Sequence, residues 1–137
     1  MTNEKPPWTP HCDNLWHFDT ECIEGDGSYV RIAKRMAEMA QRSLPLSDIQ
    51  DHVDIDEGTA WLRFNCQGQP VHIVCDVRDD WADPGLFGHF VDLLAKCEPN
   101  KQFIYYHLGG QDCIIGCVTR AEYAALQKVV PTVQPLT

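Results

Sequence analysis

Two segments of this chain repeat one order: a pair of alternating stretches joined by a short glycine-bearing turn, then an amphipathic helix opened by a capping signal. The first unit pairs residues 59–66 with 71–77 across Gln67-Gly68-Gln69-Pro70, and its helix starts at Pro84. The second pairs residues 103–108 with 112–118 across Gly109-Gly110-Gln111. Its helix starts at Thr119, where Thr119-Arg120-Ala121-Glu122 spells a capping box. Strands joined by tight turns pair antiparallel, because parallel pairing needs a long crossover. The repeat therefore confines the chain to an α+β fold. It predicts a meandering antiparallel sheet of about four to six strands against about three helices, in the order (β)α(β)ββαββα. The bracketed strands, the first within residues 15–24 and the second ahead of residue 59, are less plainly marked.

The first helix is expected over residues 29–43. Ala33, Met36, Ala37, Ala40 and Leu44 share one face, with Arg31, Lys34, Arg35 and Arg42 largely outside it. In the helix after Pro84, Leu86, Phe87, Phe90, Val91 and Leu94 point inward. Strand alternation turns Ala60, Leu62, Phe64 and Cys66 toward the helices together with Val71, Ile73, Cys75 and Val77. Trp61, Arg63, His72, Val74 and Asp76 are left on the opposite face. The second hairpin is apolar on both sides, with Tyr105 and His107 against Ile104, Tyr106 and Leu108. Its strands are expected to be central, with the second face covered or used for binding. Pro6, Pro7 and Pro10 mark residues 1–14 as an extended arm, and Pro131 and Pro135 mark residues 131–137 as a tail. Residues 15–130 are left as a single domain.

Charge narrows the partners. The net charge of −9 disfavours nucleic-acid backbones and anionic membranes and favours a basic protein. Residues 46–92 hold ten acidic side chains against Arg63 and Arg78, so this stretch alone carries −8. The absence of a secretory leader and of a long apolar run points to a cytoplasmic protein. The acids crowd the segment Asp76-Val77-Arg78-Asp79-Asp80-Trp81-Ala82-Asp83-Pro84 between a strand and a helix. There Asp83-Pro84 reads as an N-cap with proline at the first helical position. Asp76, Asp79, Asp80 and Trp81 are candidate contacts to a partner, together with Trp61 and His72 on the strand face.

Seven cysteines, an odd number without an export signal, read as reduced thiols and not as a disulfide framework. Cys66, Cys75 and Cys113 fall at core-facing positions. Cys113 and Cys117 share a strand face about 13 Å apart, too far to share an ion. His11, Cys12, His17 and Cys22 converge only if the N-terminal arm folds tightly. His72 and Cys75 face opposite sides of their strand, so they make a poor base and nucleophile pair. Gly109-Gly110-Gln111 lacks the spacing of a phosphate loop and suits a hairpin. No metal, cofactor or catalytic residue is expected.

The segment Asp80-Trp81-Ala82-Asp83-Pro84-Gly85-Leu86-Phe87, followed by Phe103-Ile104-Tyr105-Tyr106 and Gly109-Gly110-Gln111-Asp112-Cys113-Ile114-Ile115-Gly116, resembles the small cytosolic immunity proteins encoded beside polymorphic toxins in bacteria. These belong to contact-dependent inhibition, Rhs and type VI secretion systems. The resemblance spans roughly residues 59–130. It implies a stoichiometric inhibitor that binds a cognate toxin domain, without catalytic residues of its own. Two other readings stay open: a small thiol- or metal-dependent enzyme, and a secretion chaperone or adaptor.

Overall fold

A computed structural model gives the fold, with residues 14–136 described. The elements follow the order β1 (Leu15–Asp19), α1 (Ser28–Ala40), β2 (Leu46–Asp54), β3 (Thr59–Cys66), β4 (Gln69–Cys75), α2 (Leu86–Cys97), β5 (Lys101–His107), β6 (Asp112–Thr119), α3 (Arg120–Val129) and β7 (Gln134–Pro135). The α+β class expected from the repeat is observed. The strands nevertheless divide into two antiparallel sheets, ordered β1-β6-β5-β7 and β2-β3-β4, where a single meander was expected. The chain leaves the second sheet at Cys75, passes through α2 and returns as β5 in the other sheet. Each hairpin can then bury its own apolar face against the helices.

The hairpin between β3 and β4 is tighter than its sequence implied. Cys66 pairs with Gln69, leaving Gln67 and Gly68 as a two-residue loop. Both have positive φ, 53° and 78°, as a type I′ turn requires. Pro70 is tolerated because β4 is an edge strand. The weakly marked strand ahead of residue 59 is real: β2 pairs with β3 along its length, with a bulge between Ser47 and Gln50 where Asp48 takes φ 56°.

Residues 131–136 are not a free tail. β7 pairs with Ile104 and Tyr105 of β5, the Leu136 N–H donates to the Phe103 carbonyl at 3.0 Å, and Val133 and Leu136 are buried. Pro135 sits at an edge, where its missing N–H costs no ladder bond. Nearly all of the expected N-terminal arm lies outside the described residues.

Helix α1 ends at Ala40 and continues as a 3-10 turn over Gln41–Ser43. Its N-cap, Gly27, has φ 95° and no side chain to offer. The cap comes from β2 instead. The Asp51 carboxylate accepts the N–H of Gly27 at 2.7 Å, Tyr29 at 2.8 Å and Val30 at 3.0 Å, and Asp26 in return accepts the Val53 N–H at 2.7 Å. Helix α3 opens on the expected capping box, with Thr119 Oγ1 accepting from Glu122 and Glu122 Oε1 accepting from Thr119.

One large core takes Tyr29, Ile32 and Met36 from α1, Leu86, Phe90 and Leu94 from α2, and the inner faces of both sheets. A smaller core of Leu15, Ile104, Ile114, Val118 and Val133 lies under Tyr123, Leu126 and Val130 at α3. Central strands β5 and β6 are thus covered on both faces, which explains why both of their faces are apolar. Among the described residues no helix is long and apolar enough to cross a membrane.

Candidate partner-binding face

The alternation of β3 and β4 runs as its sequence indicates. Ala60, Leu62, Phe64, Cys66, Ile73 and Cys75 are buried, whereas Arg63, His72 and Asp76 are exposed and Val74 is 79% exposed. Register then builds the outer face. His52, Trp61 and Val74 form one cross-strand row, and Gln50, Arg63 and His72 form the next. On an antiparallel sheet such neighbours touch. The Trp61 ring lies 5.6 Å from His72 and 6.2 Å from His52, and the Arg63 guanidinium carbon stands 4.9 Å from its centre. Arg63 is itself held by two hydrogen bonds to Gln50 Oε1, at 3.0 and 2.6 Å. His52 Nδ1 is 3.3 Å from Asp26 Oδ1.

Trp61 is thus half-buried and braced by its own neighbours. A rigid aromatic anchor loses little side-chain entropy on binding. Beside the Gln50, Arg63 and His72 row runs a shallow groove of ≈ 420 Å³, also lined by Asp48 and Asn65. The centre of the face joins Arg63 to aromatic and imidazole rings, with Asp26 and Asp48 at its margin.

The acidic turn forms a second feature. Trp81 N–H donates to the Arg78 carbonyl at 3.0 Å, and Asp79 takes φ 51° inside that turn. Two backbone bonds pin the turn to the segment after β1: Ile23 N–H to Asp80 O at 2.9 Å and Ala82 N–H to Thr20 O at 2.8 Å. Trp81 is therefore displayed, 41% exposed, on a fixed support. The Asp80 carboxylate, with burial second, pushes the Glu21 carboxyl above its usual range.

The expected contact residues thus fall into two groups. Trp61 and His72 meet on the sheet face, Asp79, Asp80 and Trp81 share the turn, and the exposed Asp76 joins them in the chain at the end of β4. Helix α2 is regular from Leu86, and Asp83 serves the turn leading into it as a cap does: its backbone carbonyl accepts the Leu86 N–H at 3.1 Å. Its Oδ1 accepts the Gly85 N–H and its Oδ2 the Asp76 N–H, both at 2.8 Å, which ties the exit of β4 to the entry of α2. Asp51 is likewise spent on α1. Part of the acidic stretch is therefore structural. Gln50 and His52 carry no motif that marks them for this face, and only register places them beside Trp61.

The thiols are mostly core residues. Burial pushes Cys75 up to about 12 and Cys66, Cys113 and Cys117 up to about 11, leaving little thiolate at neutral pH. Cys22 is raised to about 11 by burial and then by the Asp19 charge. His17 pairs with Asp112 at 3.2 Å as a diagonal cross-strand contact on an exposed surface. Among the described residues no three of His, Cys, Asp and Glu gather closely enough to hold a metal ion. His11 and Cys12 lie outside the described residues. No protein-family model matches the chain, and neither a curated protein nor a solved structure matches it.

Proposed function

We propose that this chain is an immunity protein that binds and neutralises a cognate bacterial toxin domain by stoichiometric contact. The observation that carries this reading is the preorganised Trp61 between His52, His72 and Arg63 on an open sheet face. Aromatic and arginine side chains in such a setting supply most of the energy of protein interfaces. The resemblance of the 80–87, 103–106 and 109–116 segments to immunity proteins suggests the class of partner. Asp76, Asp79 and Asp80 steer a basic partner toward the protein, with Trp81 adding a second apolar contact.

The test is co-expression with the C-terminal domain encoded by the adjacent reading frame, followed by binding of the purified pair. Rescue of growth and a stoichiometric complex are expected. Trp61→Ala should weaken that complex by about 2 kcal/mol or more while leaving the melting temperature nearly unchanged. Association should slow as ionic strength rises. Full affinity of Trp61→Ala would remove the sheet face from the interface, and an undiminished toxin activity in the complex would favour a chaperone or adaptor.

A further inference from the structure

Cys66 and Cys97 hold their sulfur atoms 3.9 Å apart across the large core. Cys66 is the last residue of β3 and is buried; Cys97 is the last residue of α2 and is half-buried. The elements that carry them are braced against one another nearby. Phe64 stacks on Phe90, ring centres 5.9 Å apart and planes within 12°, and Leu94 is packed into the same core. The two thiols are therefore brought together by packed secondary structure and not by mobile ends. A disulfide needs an S–S distance of about 2.05 Å. Closing that gap requires the Cys97 side chain, at the end of its helix, to turn toward Cys66.

We propose that Cys66 and Cys97 form a reversible dithiol–disulfide site that reacts with a low-molecular-weight disulfide of the glutathione class. Cys97, the more accessible sulfur, attacks the small disulfide as its thiolate, forming a mixed disulfide and expelling one thiolate. Cys66 then attacks the Cys97 sulfur and expels the second. The protein loses two protons and two electrons, and the small disulfide is reduced to two thiols. Burial, with the Cys97 sulfur as a further cause, raises the Cys66 thiol to about 11. That raised value slows the second step, and the short sulfur-to-sulfur distance is what favours it over attack by a thiol from solution. The product ties β3, the strand bearing Trp61 and Arg63, covalently to α2. Among the described residues no other two thiols are found in contact: Cys75, Cys113 and Cys117 are buried and Cys22 is half-buried.

The test uses the full chain incubated natively with glutathione disulfide, capped with iodoacetamide and mapped by mass spectrometry without reduction. One crosslinked pair of peptides, containing Cys66 and Cys97, is expected to dominate, with the intact mass before capping lowered by about 2 Da. The crosslinked protein should melt about 5 to 15 °C higher, and dithiothreitol should reverse both changes. In Cys97→Ser the crosslink and the shift should both vanish. Glutathione retained on Cys97 with Cys66 still free, or crosslinks dominated by other cysteines, would overturn the assignment. A crosslinked form that melts no higher would do so as well. The mapping of the unaltered chain decides the matter even if a variant folds poorly.

Discussion

Replacing Asp51 tests the separation of structural from contact acids most directly. Its carboxylate accepts three backbone N–H groups at the start of α1, at 2.7, 2.8 and 3.0 Å. Gly27 at that N-cap has no side chain to take over. Hydrogen bonds to a charged group are worth roughly 1.5 to 3 kcal/mol each, and a negative charge at a helix N-terminus adds about 0.3 to 1 kcal/mol. The site is only partly buried, so water replaces some of what alanine removes. Asp51→Ala should then cost about 2 to 4 kcal/mol, and Asp51→Asn, which keeps an acceptor and loses the charge, about half as much. Urea unfolding followed by far-ultraviolet circular dichroism reads this as a lower midpoint at unchanged slope. With a slope of about 2 kcal/mol per molar, the alanine shift is on the order of 1 to 2 M. Partner affinity, measured where both proteins remain folded, should not change. A loss of stability below about 0.5 kcal/mol would refute the capping role.

Two further substitutions probe other parts of the fold. Glu21 has a folded-state pKa raised by Asp80 and then by burial, so the native state holds that proton to higher pH than the unfolded chain does. This contribution is intact below the unfolded value, near 4.5, and is lost as pH rises through the raised folded value. Glu21→Gln should flatten the fall in urea midpoint over that window and raise the midpoint at neutral pH; a lower midpoint at neutral pH would contradict the like-charge account. Gly116 lies opposite Leu15 in the sheet, and a Cβ there would meet Leu15 Cδ2 at 2.5 Å and Ile104 Cγ1 at 3.2 Å. Gly116→Ala should therefore cost about 1 to 3 kcal/mol in the same unfolding measurement, and a neutral result would mean that Leu15 repacks freely.

Local physics made much of this protein legible in its sequence. The β3–β4 and β5–β6 hairpins, the capping box at Thr119, the buried faces of β3 and α2 and part of that of α1 follow from periodicity and turn chemistry, which act within a few residues; the buried Tyr29, Ile32 and Met39 of α1 lie outside the expected face. The outward direction of Trp61, His72 and Asp76 follows from the same alternation, as does the burial of Cys66, Cys75 and Cys113. Periodicity says which way a side chain points but not which strand lies beside it. The division into two sheets was decided by packing, since both faces of β5 and β6 had to be covered. Residues 131–136 read as a tail because prolines flank them, yet burial of Val133 and Leu136 outweighs the missing donors and draws β7 onto β5. Asp51 and Asp83 carry the same residue type as the contact acids. Only the backbone N–H groups brought to them from distant segments give them structural work. Trp61, His52 and Arg63, and likewise Cys66 and Cys97, become neighbours only through register and helix packing. Such long-range proximity depends on how separate elements bury a common core, and no local pattern encodes it.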